Sequence, residues 1–374
     1  MRDSIVVAGA VAQKPQQAGH SWQFLQYLLG FQRLGWDVLF VDRLDAETHT
    51  EANVAWFAEV MGSAGLADSC ALLVDGASVF GASREQVLEQ TRRSACLINV
   101  MGYLDDDEVL AAAPKRVFLD TDPGFGQMWL ELGLADIFRG HDVHVTVAEN
   151  IGRTDCTIPT CGLDWKTTKQ PVVLDMWRRR DPQRRFAFTS VGAWRGPYAP
   201  VSLNGVTYGL RVHEFRKFAH VPALSGRLFD IALDIDAAET SDLELLRRNG
   251  WRLLSPRQAA GDLWTYRAFL QSSFAEFMVA RGIYVQTRSG WFSERSICYL
   301  ASGTPVLAQD TGLDGLLPSG EGLTTFTTAE EAAAGVESIC RDHRRHADAA
   351  AALAEAYFDS DVVLPRLLSS IGVG

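Results

Sequence analysis

The feature that most constrains this chain is a repeated alternation of short apolar runs with amphipathic stretches. Ser4–Val11 is almost wholly apolar and broken only by Gly9, the texture of a strand buried on both faces. A loop through Lys14–Gly19 follows. From His20 to Leu34 the apolar residues Trp22, Leu25, Leu28, Leu29 and Leu34 recur at roughly helical spacing; Gly35 closes the helix and Asp37–Asp42 reads as a second strand. Strand, helix and strand within about 40 residues form a βαβ unit, which implies parallel pairing and a right-handed crossover.

The pattern continues with a helix near Asn53–Ala64 and strands at Ala95–Val100, Arg116–Asp120 and Val143–Val147. Around Pro171–Arg185 the texture turns polar, in the run Trp177–Arg185, and a boundary is expected there. The same grammar then restarts. Strands are expected at Phe186–Gly192, Phe229–Leu233, Trp251–Leu254, Ile283–Gln286 and Pro305–Ala308, with helices over Ser241–Asn249, Leu263–Arg281 and Glu294–Ala301. An irregular aromatic stretch separates Trp194 from Phe218. The expected fold is α/β: two tandem Rossmann-like, doubly wound domains over residues 1–175 and 176–350, with a helical segment, 351–374, packing back on the first.

Length and charge narrow the partners. A chain of 374 residues exceeds what one core usually holds, and 46 acidic against 35 basic side chains leave a net charge of −11. That sign disfavours nucleic acid, and no run approaches the roughly 18 apolar residues of a membrane span. The start, Met1–Ser4 followed at once by an apolar strand, is too short for a cleavable signal, so a cytoplasmic location is expected. The six cysteines show no metal-binding spacing and read as reduced thiols, and the scarcity of Lys, five in all, suggests a GC-rich bacterial source.

In doubly wound sheets ligands bind beyond the carboxyl ends of the strands. The strongest candidate there is Arg288-Ser289-Gly290-Trp291-Phe292-Ser293-Glu294, followed by Gly303-Thr304-Pro305. A glycine turn before a helix lets backbone approach an anion at the helix N-terminus; Ser293 could cap that helix or donate to a phosphate, and Arg288 would add a charge-assisted bond. These two segments resemble the nucleotide-sugar signature of GT-B glycosyltransferases, with the gap between them about two residues longer. Many retaining members carry an E-x7-E pattern, which here would fall on Gly290 and Cys298; that signature is absent. Glu294 is the one acid of the helix able to hold a ribose or sugar hydroxyl.

Gly19-His20 after the first strand is similar to the G-H opening of inverting GT-B enzymes, with Arg33–Val38 where that family has R-G-H; no His follows Gly35. The resemblance implies that His20 is the general base in an interdomain cleft, a role that suits an imidazole. It also implies an orienting carboxylate after a later strand, Asp120 or Asp122 in Leu119-Asp120-Thr121-Asp122. An Asp-x-Asp can instead hold a metal, but in GT-A enzymes that lack the second domain. On the same resemblance Gly192 faces the diphosphate, Leu254 ends the strand that reads the nucleotide base, and Asp310 and Thr311 contact the sugar.

The expected function is therefore transfer of a sugar from a UDP-, dTDP- or GDP-sugar to a small-molecule or glycan-precursor acceptor, inverting, with no cofactor or metal, and with a homodimer as a candidate assembly. Two alternatives share the fold: a non-hydrolysing sugar-nucleotide epimerase and a non-catalytic nucleotide-sugar binder. Asp105–Glu108 reads as a helix cap, His141 and His144 as structural, and the loop Trp165–Pro171 either as a surface loop or as reaching the donor phosphates.

Overall fold

The computed structural model describes residues 3–178, 185–196 and 198–373. Two compact units emerge from its contacts: Met1–Ala148 with Thr160–Val173 and Ser360–Gly374, and Glu149–Pro159 with Leu174–Asp359. The chain thus enters the second unit once for eleven residues before its main crossing at Val173. The last helix, Ser360–Ser370, belongs to the first unit, where Arg33 on the helix Ala18–Arg33 pairs with Asp361 at 3.1 Å, whereas residues 351–359 stay with the second. The arginine-rich tract expected at the boundary falls largely on residues 179–184, outside the described residues.

The first unit is built on β1 (Ser4–Gly9), β2 (Asp37–Leu44), β3 (Cys70–Val74), β4 (Ala77–Gly81), β5 (Cys96–Val100), β6 (Arg116–Asp120), β7 (Val143–Thr146) and β8 (Trp165–Thr167). They form one sheet in the order β4-β3-β2-β1-β5-β6-β7-β8, parallel except for the β3–β4 hairpin. β1 is buried along its whole length because it lies between β2 and β5, at the point where strand order reverses.

The second unit carries β9 (Phe188–Ala193), the hairpin β10 (Val201–Leu203) and β11 (Val206–Tyr208), then β12 (Phe229–Asp234), β13 (Trp251–Leu254), β14 (Ala275–Met278), β15 (Val306–Gln309) and β16 (Leu323–Phe326). All but the hairpin make a parallel sheet in the order β13-β12-β9-β14-β15-β16. Its core is aromatic. Phe277 of β14 stacks on Phe326 at 5.2 Å and meets Phe229, Trp251 and Phe215. Trp194, Tyr208, Phe215 and Phe218 of the irregular aromatic stretch are buried, the last three on or beside the hairpin and the helix Arg211–Phe218.

The stretch Leu263–Arg281 is not one helix: it is helical over Leu263–Ser272, stops at Ser273, whose backbone is extended, and continues as strand β14. Ile283–Gln286, expected as a strand, lies in the short helix Gly282–Gln286. The physical reason is that β14, Ala275–Met278, is buried along its whole length between β9 and β15, and helical and buried-strand runs of that length share one apolar pattern. The shift moves the loop expected to face a ligand back to Val279-Ala280-Arg281.

Candidate functional site

In the second sheet, strand order reverses between β9 and β14, so their carboxyl ends frame the expected binding point. Three guanidinium groups converge on it. Arg211 begins the helix Arg211–Phe218, and a Cβ on Gly192 would lie 1.9 Å from its Nη1, so the glycine near the end of β9 leaves room for the guanidinium in this position. Arg281 follows β14 and lies over the rings of Tyr198 at 5.5 Å and Tyr284 at 5.9 Å. Arg295, in the first turn of the helix Glu294–Ala301, is buried; its Nε donates to Glu276 of β14 at 2.7 Å and its Nη1 to the Val191 carbonyl at 2.9 Å.

Local bonds bring these residues together. Gln309, at the end of β15, accepts from the Ala280 amide at 3.1 Å and donates to Glu214 at 2.8 Å, joining the approach to Arg281 to the helix that carries Arg211. The Ile283 amide donates to the Gly209 carbonyl at 3.2 Å. The charges are unevenly balanced. Burial opposes the charge of Arg295, but Glu276, Tyr266 and Glu294 outweigh it and hold that guanidinium above its usual range. Arg211 has no such partner: burial, with the charges of Arg295 and Arg281 added, pushes it down to about 9, only partly opposed by Glu294 and Glu276. It remains a cation at neutral pH in surroundings that disfavour one, and an anion placed against it would relieve that cost.

The loop expected to bind the donor lies in the same unit. Gly290 has φ +72° and donates its amide to the Thr311 carbonyl at 2.8 Å. Trp291 is buried and stacks on Tyr284 at 4.2 Å. Ser293 stands at the N-cap position but makes no capping bond, its hydroxyl lying 3.5 Å from the Glu294 carboxylate, so the helix N-terminus is left uncapped by it. Arg288 is exposed, with Asp155 at 3.6 Å and Asp310 at 3.8 Å. Leu254 ends β13, half-buried.

Two expected donor residues are otherwise engaged. Ser289 is fully buried and its hydroxyl donates to the Tyr284 carbonyl at 3.2 Å while accepting from the Trp291 amide; Thr311, also fully buried, donates to the Trp291 carbonyl at 2.6 Å. Both hold the Trp291 turn in place and have no hydroxyl proton left for a ligand. Asp310 accepts from the amides of Gly312 and Leu313, each at 3.0 Å, through one oxygen and faces Arg288 with the other.

In the first unit, His20 lies in the first turn of the helix Ala18–Arg33. Its Nε2 is 2.9 Å from the Ala10 carbonyl, which can only accept, so Nε2 carries the proton and Nδ1 the lone pair. Burial, and then the Lys14 charge, push the ring down to about 3 against the help of Ala10. The expected carboxylate partner is not there. Asp120 is buried and accepts from Gln127 at 2.7 Å, Thr146 at 2.9 Å and the Asp122 amide at 3.2 Å, and burial pushes it up to about 6. Neither it nor Asp122 is among the partners of His20, which are Ala10 and the rings of Phe24 and Tyr103. Lys166, in the loop considered for the donor phosphates, donates to Asp164 at 2.8 Å. His141 accepts from Asn99 at 3.1 Å and donates to the Phe138 carbonyl at 3.0 Å, and Asp106 caps the helix Asp107–Ala112.

Among the described residues, no three His, Cys, Asp or Glu side chains come together as a metal site, and no helix is long and apolar enough to cross a membrane. No protein-family model matches the chain, and no curated protein matches it in sequence. Solved structures do match over its whole length. HepE of Anabaena in complex with UDP-glucose superposes with a TM-score of 0.61 at 11% identity over 99% of each chain. An alpha-glucosyltransferase in complex with UDP and a 13-mer DNA gives 0.60 at 11% over 100% of each. The sucrose-phosphate synthase of Thermosynechococcus elongatus gives 0.59 at 11% over 99% of each.

The chain has the GT-B fold. Within it, sequence reasoning missed Arg211, Arg281 and Arg295. Arg281 was hidden by the misplaced strand, Arg211 by the irregular aromatic stretch before it. A readable signal was nevertheless present: the Ser272-Ser273 helix stop, followed by an apolar run ending in Arg281. Because Arg211 sits at a cost, Arg211→Met should leave the melting temperature of the unliganded protein unchanged or raise it, while weakening the binding of an anion, with inorganic pyrophosphate as the probe, about 10–100-fold, the worth of a hydrogen bond to a charged group. Calorimetric titration and thermal denaturation read the two effects. A fall in melting temperature with unaltered binding would make Arg211 a structural residue instead.

Proposed function

We propose that the protein is a glycosyltransferase that moves a hexosyl group from a nucleotide-sugar donor to a small-molecule or glycan-precursor acceptor. The observation that carries this reading is the only partly neutralised Arg211, set with Arg281 and Arg295 at the switch point of the second sheet, in a fold shared with structures that hold UDP or UDP-glucose. In such a transfer the bond from the anomeric carbon to the diphosphate breaks, the acceptor oxygen bonds to that carbon, and the acceptor proton must leave. Negative charge grows on the diphosphate. Arg211 and Arg281, with the uncapped helix N-terminus at Ser293-Glu294, are suited to receive it, which makes a divalent cation unnecessary. Arg288 and the Gly290 turn would border the same group, Gly192 leaves space for Arg211 beside it, Leu254 would lie against the base, and Glu294 and Asp310 would accept from sugar or ribose hydroxyls.

We further infer inversion, with His20 taking the acceptor proton at Nδ1, since Nε2–H is committed to Ala10. Its low basicity keeps it neutral throughout the physiological range.

Two experiments test these statements. In EDTA, a panel of UDP, dTDP, GDP and ADP should contain at least one nucleotide that stabilises the protein, by about 2.7 kcal/mol at 100 times its dissociation constant. No stabilisation by any of the four, with or without Mg²⁺, sinks the donor reading; stabilisation only with Mg²⁺ or Mn²⁺ sinks the metal-free one. For the base, His20→Ala should lower turnover by about 10²–10⁴-fold with donor affinity unchanged. Since the ring is already neutral above pH 5, wild-type kcat/KM should show no acid limb near pH 6.5. Wild-type turnover in the variant removes His20 from the chemistry.

A further inference from the structure

Asn150 lies on the eleven-residue segment Glu149–Pro159, which leaves the first unit after Ala148, belongs to the second, and returns at Thr160. It is 1% exposed, and every polar group of its side chain is engaged. Nδ2 donates to the Arg288 carbonyl at 2.9 Å and to the Gly312 carbonyl at 2.7 Å, and Oδ1 accepts from Arg153 Nη1 at 2.6 Å. The backbone amide of Asn150 donates to the Ser289 carbonyl at 3.1 Å. Two carbonyls on one side and a guanidinium on the other allow the amide only one orientation.

The contacts on both sides are shaped to this side chain. A Cβ on Gly290 would approach Asn150 Cγ and Nδ2 to 3.0 Å, and one on Gly312 would approach Nδ2 to 2.9 Å. Both glycines have positive φ, as does Arg288 at +50°, a conformation that a long side chain adopts only when its neighbours impose it. Further along the segment, the Thr157 amide donates to the Thr287 carbonyl at 3.1 Å and Asp155 faces Arg288 at 3.6 Å.

We infer that Asn150 is a positioning residue for the donor: by bridging the Arg288 and Gly312 carbonyls it fixes the two loops, Arg288–Gly290 and Asp310–Gly312, in the relative position that receives the diphosphate and sugar. The inference rests on the donor reading given above. It gives the inserted segment a purpose that packing alone does not supply, because one amide group joins both loops and a hydrophobic plug of the same size would join neither. Without it, the backbone at Arg288 loses the partner that holds its left-handed turn.

The test is calorimetric titration of wild-type protein, Asn150→Asp and Arg153→Ala with the nucleoside diphosphate that stabilises the wild type most. Asn150→Asp keeps the size of the side chain but sets an acceptor against two carbonyls; Arg153→Ala leaves the amide in place and removes its exposed anchor, so it keeps the question open to measurement if Asn150→Asp fails to fold. The expected result is affinity at least tenfold lower for Asn150→Asp and about threefold lower for Arg153→Ala, in proteins whose circular dichroism matches the wild type. Wild-type affinity in folded Asn150→Asp, or in Arg153→Ala where Asn150→Asp does not fold, overturns the role of Asn150 and leaves the donor reading standing. A wild type that binds none of the nucleotides overturns the donor reading, and this assignment with it.

Discussion

The buried pair between Arg295 and Glu276 is the contact on which the arrangement of the second unit depends. It ties the helix Glu294–Ala301 to the middle of β14, and through the Val191 carbonyl to the end of β9, so it fixes three elements at the point where strand order reverses. Removing one partner of such a pair typically costs about 3–5 kcal/mol, because the other charge stays buried. Its second effect is electrostatic. Glu276 answers Arg295, which leaves Arg211 with its charge only partly compensated, and that imbalance makes the site receptive to an anion in a chain whose net charge is −11.

Around this pair a set of polar bonds holds the loops. Ser289 and Thr311 lock the Trp291 turn, Asp310 closes its own turn, Gln309 sets the register of Ala280, and Asn150 joins the two loops. Satisfied buried networks of this kind specify one geometry, since each lost partner strands another group in a dry interior. The division of labour follows: fully buried hydroxyls shape the site, and the groups left to meet a ligand are guanidiniums, backbone amides and half-exposed carboxylates.

Much of this was legible in the sequence. The βαβ grammar pointed to β1, β2, β5, β6, β7, β9, β12, β13 and β15 because buried parallel strands are largely apolar and bounded by turns. Gly290 and the helix at Glu294 stood out because positive φ and helix starts have marked residue preferences. What escaped had no local signature. Arg211 and Arg281 are 70 residues apart and meet only through the sheet topology, and β14 was read as helix because a short apolar run has no period of its own. The roles of Ser289 and Thr311 misled for a related reason: a hydroxyl beside a glycine turn looks alike in sequence whether it faces a ligand or the protein's own carbonyls. Likewise Asp120 ends its strand where an orienting acid was expected, but Gln127 and Thr146 arrive from elsewhere and both donate to its Oδ2, while the Asp122 amide takes Oδ1.

On the function proposed above, the second unit recognises its ligand chiefly through a diphosphate held at the arginine cluster. Calorimetric titration of the wild-type protein with the best-binding nucleoside diphosphate, and then with the matching nucleoside, measures this directly. If the phosphates are met by Arg211 and Arg281, the nucleoside should bind at least 100-fold more weakly, and the gap should narrow as salt is added. Equal affinity for the two at low salt would contradict it.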